Sequence, residues 1–293
     1  MSSQSESVTP DLLREWGLPD PGNSKKTRGR VMVVGGSRRS PGAILLAGEA
    51  ALRVGAGRLG LVVPGSIEAQ IGVVIREAAI FSLPERATDP IEGHLRDELA
   101  AAGAVLVGPG FDEPDETRAT VEAVADTDVS CLVLDAFGLG VLPDIDRSRL
   151  PQTLLLNPNE EEASRLLGRE LGENGSDERI ADLREIAERY QAIVNCYGDI
   201  VDPAGASWRV EAGGAGLGTS GSGDVLAGAI AGMAARGLPP ERAVAWASWA
   251  HASAGDRLTK HPGLGFLAGD LARELTPVLN SVLKPVLDEF TPA

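Results

Sequence analysis

Little in this chain suits a disulfide scaffold or a metal cage: there are two cysteines, Cys131 and Cys196, and three histidines in 293 residues. Both cysteines lie in β-like apolar runs, so they read as small buried apolar side chains rather than as a disulfide framework or a thiolate site. Long apolar runs are missing too. None approaches the roughly 18 residues needed to span a bilayer, and no charged-then-apolar leader opens the sequence, so a soluble, cytoplasmic protein without a membrane partner is expected. Positive charge is the third scarcity. Lys and Arg number 27 against 42 Asp and Glu, a formal net charge of −15, which argues against nucleic acid or an anionic membrane surface as the main partner. A nucleotide stays admissible, because backbone amides hold phosphate without any basic side chain.

What is present is a 43% apolar chain, ample for one large core. Residues 1–28 are polar and broken by Pro10, Pro19 and Pro21, with one short helical pattern at 11–16, and read as an N-terminal arm. Strand-like and helix-like patterns alternate from Gly29 onward with no linker and no repeat, so residues 29–293 read as a single domain. Strands are expected at 31–34, 58–63, 79–83, 104–107, 130–134, 154–156 and 192–196, with helices at 43–54, 66–77, 91–102, 117–125, 163–167, 177–190 and 240–258. A hairpin joins 200–201 to 208–210, and a helical pair closes the domain at 267–287. An all-apolar first strand needs cover on both faces. The fold class is therefore α/β: a three-layer α/β/α domain with a mostly parallel central sheet.

One stretch organises the rest: Gly216-Leu217-Gly218-Thr219-Ser220-Gly221-Ser222-Gly223-Asp224, a glycine-rich turn running into an apolar helix expected over 224–236. Glycines at 218, 221 and 223 permit positive φ and close approach of a ligand, while the first helical N–H groups stay unpaired and form an anion cradle. Asp224 at its mouth is the unusual feature, since a plain phosphate site avoids a carboxylate. The helix N-terminus is expected to keep it ionised, and an ionised carboxylate beside a phosphate can take the proton of an attacking hydroxyl. The bland alternative is an Asp N-cap.

In such sheets ligands bind beyond the carboxyl ends of the strands. Six turns share that address: Gly35-Gly36-Ser37, Gly108-Pro109-Gly110, Asp135, Asn157 to Glu162, Tyr197-Gly198-Asp199, and the cradle. Asn159 and Glu162, three apart, read either as holders of hydrated Mg²⁺ through water or as a solvated helix start. Arg38 and Arg39 read either as phosphate partners or as solvated charges. His251 reads as a satisfied core histidine, and His94 and His261 as surface.

The runs Val33-Val34-Gly35-Gly36-Ser37, Pro41-Gly42-Ala43, Val107-Gly108-Pro109-Gly110, Leu156-Asn157-Pro158-Asn159 and Thr219–Ala227, with His251 to Asp256, resemble the ADP/ATP-dependent NAD(P)H-hydrate dehydratases of the ribokinase-like superfamily. That resemblance implies a ribokinase-like domain that phosphorylates the C6 hydroxyl of hydrated NADH or NADPH from ADP or ATP with Mg²⁺ and then eliminates phosphate. It implies Asp224 as catalytic residue, and Ala43, Gly110, Asn159 and Asp224 as substrate contacts. Nucleotide contacts would fall on Tyr197, Gly198, Asp199, Ile200 and Val201 and on Ser220, Gly221, Ser222 and Gly223. A homo-oligomer is expected, and a separate NAD(P)H-hydrate epimerase as pathway partner, because the chain leaves no room for a fused one. Three positions depart from the family pattern: Tyr197 for a lysine, Phe137 for an aspartate, and Asn159 for a histidine. Two other readings compete, a ribokinase-like small-molecule kinase that releases its phosphorylated product and a nucleotide-binding regulator without turnover.

Overall fold

Short apolar strands alternating with small-residue helices build a single ten-stranded sheet; the computed structural model describes residues 5–287 apart from 21, 23 and 26. In chain order the strands are β1 (Glu6–Ser7), β2 (Arg30–Val34), β3 (Arg58–Val63), β4 (Ala78–Ser82), β5 (Ala104–Val107), β6 (Cys131–Leu134), β7 (Thr153–Leu156), β8 (Ile193–Cys196), β9 (Asp199–Val201) and β10 (Ser207–Arg209). The helices are α1 (Pro10–Trp16), α2 (Pro41–Arg53), α3 (Glu68–Val74), α4 (Gly93–Ala100), α5 (Pro114–Ala125), α6 (Phe137–Gly140), α7 (Glu160–Leu167), α8 (Asp177–Tyr190), α9 (Ser222–Ala235), α10 (Pro240–Lys260) and α11 (Ala268–Leu287).

Strand order is β1-β10-β9-β8-β7-β6-β5-β2-β3-β4, and every pairing is parallel except those of β9 with its two neighbours. The chain winds outward from β2 through β3 to β4, then returns to lay β5 on the other side of β2. The switch point is thus the gap between β2 and β5, the expected ligand crevice of an open α/β sheet. The turns that follow these two strands meet there: the Gly36 amide donates to the Pro109 carbonyl at 2.8 Å.

Alternation along each strand supplies two cores. Val31 and Val33 join α2, α9, α10 and α11 on one face, while Met32 and Val34 join α4, α5, α7 and α8 on the other. The first layer is dominated by alanine and glycine because α2 and α9 cross at very short range. A Cβ on Gly228 would lie 2.0 Å from the Ala47 carbonyl oxygen, and one on Gly232 would lie 2.7 Å from that of Ala51. Gly228→Val should therefore force the two helices apart and cost at least the roughly 1–3 kcal/mol of ordinary overpacking, read as a lower urea midpoint; an unchanged midpoint would show that the crossing yields freely.

Two elements differ from the sequence reading. Where a helical pair was expected over 267–287, Ala268–Leu287 form one helix. Pro277 sits on its exposed side, and the buried stripe of Leu271, Leu275, Val278 and Leu279 carries the helix on past the hydrogen bond that proline cannot donate. The segment read as an arm is tied down: Glu6 and Ser7 pair with Trp208 and Arg209, and Leu13 of α1 is fully buried.

Candidate active site

A cleft of about 660 Å³ lies over the carboxyl ends of β6, β7 and β8, walled by Asp135, Asn157 to Asn159, Tyr197-Gly198 and the start of α9. Gly221 adopts φ 89° immediately before α9, a left-handed conformation that a side chain would strain. Of the three cradle glycines only this one has positive φ, which corrects the reading of Gly218 and Gly223: Gly218 has φ −72°, and Gly223 is the second residue of the helix. The Ser222 amide turns back to the Thr219 carbonyl at 3.2 Å and that of Val225 to Gly221 at 3.1 Å. The Gly223 and Asp224 amides find no backbone acceptor and remain free for an anion. Gly223 is exposed, with open space where a Cβ would stand.

Asp224 is the third residue of α9, not its cap, and its half-buried carboxylate accepts no hydrogen bond from any described residue. Burial pushes its pKa up to about 6. At neutral pH it is still mostly ionised, as expected, although desolvation outweighs the pull of the helix end on its acidity. Asp135, buried after β6, is also driven well up from the ordinary carboxylate range, first by burial and then by the charge of Glu162, with Asp224 adding. Asn157 Nδ2 donates to Asp135 Oδ1 at 3.0 Å, and Asn195 Nδ2 donates to Asn157 Oδ1 at 2.7 Å. Asn195, in the middle of β8, was not singled out in the sequence; an asparagine inside a strand buried on both faces was the available signal.

Asn159 and Glu162 form a reciprocal cap on α7. Asn159 Oδ1 accepts from the Glu162 amide and Glu162 Oε2 from the Asn159 amide, both at 2.9 Å. Each spends one oxygen on the helix end while still lining the cleft. Burial raises the Glu162 pKa as well.

Tyr197 and Gly198 are the two central residues of a tight turn between β8 and β9, with φ 52° and 89°, the geometry that favours glycine and asparagine in two-residue hairpins. Tyr197 is 61% exposed at the cleft rim, its ring centroid 6.0 Å from the Arg179 guanidinium carbon. The next three residues of the carried-over motif do not line the cleft. Asp199, Ile200 and Val201 are buried in β9, with Asp199 paired to Arg179 at 3.2 Å and to Arg209 at 2.7 Å. Ser220 is exposed and stands outside the cleft wall, whereas Gly221, Ser222 and Gly223 form part of it.

His251 is buried as expected, yet it is not a bystander. Its Nε2 lies 3.1 Å from Ser222 Oγ and 3.0 Å from the Ser222 carbonyl oxygen, and burial depresses its pKa to about 4, so it is neutral. It pins the first residue of the cradle helix from α10. Ala43 and Gly110 meet at the switch point, the Ala43 Cβ standing 3.2 Å from where a Gly110 Cβ would be. Neither lines the 660 Å³ cleft. The six turns thus divide: Gly36 and Ser37, with Arg38 and Arg39, open instead onto a second cavity of about 760 Å³.

A sequence model of NAD(P)H-hydrate dehydratase matches residues 31–277. The chain belongs to the NAD(P)H-hydrate dehydratase family. It is 40% identical to the ADP-dependent (S)-NAD(P)H-hydrate dehydratase of Xanthomonas campestris over 93% of this chain and 96% of that one. It is also 34% identical to the bifunctional NAD(P)H-hydrate repair enzyme Nnr of Moorella thermoacetica, of whose length it spans about half (50%) while that match covers 88% of this chain. Among solved structures, the ADP/ATP-dependent NAD(P)H-hydrate dehydratase of Bacillus subtilis, co-crystallised with ATP and Mg²⁺, superposes with a TM-score of 0.81 at 26% identity, covering 95% of this chain and 99% of that one. A ribokinase-like superfamily protein of Enterococcus faecalis shares the fold, with a TM-score of 0.81 at 22% identity, covering 95% and 96% of the two chains.

Proposed function

We propose that this chain restores NADH or NADPH from its C6 hydrate at the expense of ADP or ATP. The observation that carries the reading is the pairing of an unpartnered, half-buried carboxylate at Asp224 with two free amides of the same helix end. With its pKa near 6, Asp224 is mostly ionised at neutral pH yet basic enough to accept a proton, which is what a general base requires. It takes the proton of the C6 hydroxyl as that oxygen attacks the terminal phosphorus of the nucleotide. The bond from that phosphorus to its bridging oxygen breaks, and AMP or ADP departs. The Gly223 and Asp224 amides hold the transferring phosphoryl oxygens. The ring nitrogen lone pair then expels phosphate from C6, and loss of the C5 proton restores the dihydronicotinamide.

Magnesium fits the cleft as a hydrated ion. Among the described residues no cluster of three or more His, Cys, Asp or Glu side chains is arranged to hold a metal directly. Glu162 nevertheless keeps one carboxylate oxygen uncommitted beside Asp135, and the mutual repulsion of these acids favours a cation there. When bound, the ion would neutralise the nucleotide phosphates. Asn159 would act through its cap, holding Glu162 in place. The substrate ring would reach Asp224 past Ala43 and Gly110 at the switch point.

Mixing the protein with NADH hydrate and each nucleotide tests this reading: reduced-nicotinamide absorbance should return, with one phosphate released per turnover. A stable phosphorylated hydrate and no regained absorbance would make it a simple kinase. Tyr197→Lys bears on the nucleotide. A lysine at the exposed rim adds a cation where the family carries one, so affinity for ATP should rise about tenfold, the equivalent of about 1.4 kcal/mol, with the gain shrinking in high salt. The nearby Arg179 opposes it, and equal or weaker binding by calorimetry would show that the tyrosine ring itself serves the nucleotide.

A further inference from the structure

His251 reaches the cradle from another helix. It stands on α10 among Ala247, Ala250 and Ala254, all fully buried, and α10 packs along α9, so the imidazole is carried by a rigid element. Its Nε2 faces two oxygens of one residue, the Ser222 hydroxyl at 3.1 Å and the Ser222 carbonyl at 3.0 Å. These two contacts fix a proton. A carbonyl oxygen can only accept, so Nε2 carries hydrogen; a bare Nε2 would set its own lone pair against that of the carbonyl. Burial depresses the pKa of the ring to about 4, so it is neutral and this N–H is the one it has.

The consequence falls on Ser222. Its Oγ can only accept from Nε2–H, so the hydroxyl keeps its own hydrogen for a different partner. Among the described residues it has none, since the contact with His251 is the sole hydrogen bond of this hydroxyl. Ser222 is 6% exposed and lines the cleft beside Gly223 and Asp224. A buried hydroxyl whose proton lacks an acceptor is costly, and the cleft is where an acceptor can enter. The hydroxyl belongs to the first residue of α9, directly before the two free amides, so it adds a third donor to the same helix end. Unlike the amides, it depends on a second helix for its direction.

We propose that the Ser222 hydroxyl donates a hydrogen bond to the transferring phosphoryl group and that His251 is the positioning residue that turns it there; the inference rests on the phosphoryl-transfer step of the reading above. A donor aimed at charge that develops during transfer acts on the transition state, so its loss lowers kcat and spares KM. Ser222→Ala should therefore lower kcat about a hundredfold, within the range for removal of one such donor, with KM for hydrate and nucleotide within about threefold. His251→Leu should do the same. His251→Gln, whose side-chain amide can donate to the same two oxygens, should regain most of the rate, and the Ser222→Ala/His251→Leu pair should be no slower than the slower single variant, because the histidine acts through the serine. A Ser222→Ala enzyme at the parent rate overturns the assignment, as does a His251 series in which kcat loss follows melting temperature, KM rises with it and glutamine rescues nothing. Should His251→Leu not fold, Ser222→Ala and His251→Gln decide alone: a slow alanine variant beside a fast glutamine variant upholds the pair, and two equally slow variants remove the positioning role. The substrate reading fails separately, if the parent restores no NADH from its hydrate. Calorimetric titration with ADP and aluminium fluoride, a mimic of a phosphoryl group in transfer, then decides. Affinity at least about tenfold weaker in Ser222→Ala, with that for ADP alone unchanged, upholds the donor; equal affinity, or no complex with the parent, removes it.

Discussion

Asp224→Asn is expected to lower turnover by about 10²–10⁴, the range for loss of a positioned base, and to raise the melting temperature at pH 7. Both effects have one cause. Burial lifts the pKa of this carboxyl from 3.8 to about 6, so the folded state binds its proton more tightly than the unfolded chain does. Stability from this group is full below pH 3.8 and declines as pH rises toward 6, beyond which the folded protein carries a buried charge it does not welcome. Amide replacement removes that charge. A shift of about two units would be worth about 3 kcal/mol in a dry site, and solvent reaching the half-exposed carboxyl reduces the gain to a fraction of that. In the parent, kcat/KM should fall about tenfold per pH unit below pH 6. A variant that turns over at the parent rate would falsify the base assignment, and one that melts lower at pH 7 would show that the ionised carboxylate is stabilised by contacts not seen in the structure.

The parts of this molecule that were legible in the sequence are those written locally. β3, β5 and α8 coincide with apolar or periodic runs at residues 58–63, 104–107 and 177–190, and the cradle announces itself because glycine and aspartate at a helix start have few other uses. Asp224 stood out as a candidate for the same reason. What escaped is written between distant residues. The charged helix α8 was legible as a helix, yet Arg179 and Asp182 lie on its buried side, and nothing in a run of alternating charges says which of them turns inward. The pinning of Ser222 by His251 joins residues 29 apart, and the parting of the Gly36-Ser37 turn from the turns that wall the cleft follows from strand order, which sequence pattern does not specify. Carrying a contiguous motif across also overreached, since a strand buries alternate residues and here both faces of β9 are covered.

The largest stability effect is expected at Arg179. Its guanidinium is 1% exposed and gathers four elements: Glu160 at the start of α7 at 2.8 Å, Asp199 of β9 at 3.2 Å, the Cys196 sulfur of β8 at 3.3 Å, and the ring of Tyr197 above it. Removing one member of a buried ion pair leaves the other uncompensated, at a typical cost of about 3–5 kcal/mol. Asp199 would keep Arg209, while Glu160 is half exposed and can turn to water, so Arg179→Met should fall toward the lower end of that range, measured as the shift in urea midpoint. Pairing it with Asp199→Asn should recover part of the loss, because the buried carboxylate left with one partner is then neutral while the partly exposed Arg209 can turn to water. The same substitution unlinks the Tyr197-Gly198 turn from the cap that holds Glu162, so nucleotide affinity should drop along with stability. In the double variant the two readouts separate: stability recovers in part while affinity does not, since the guanidinium beneath Tyr197 is still missing. A loss below about 1 kcal/mol in the single variant would mean that water reaches the network, and joint recovery of both readouts would mean that the turn is held by its own backbone geometry rather than by Arg179.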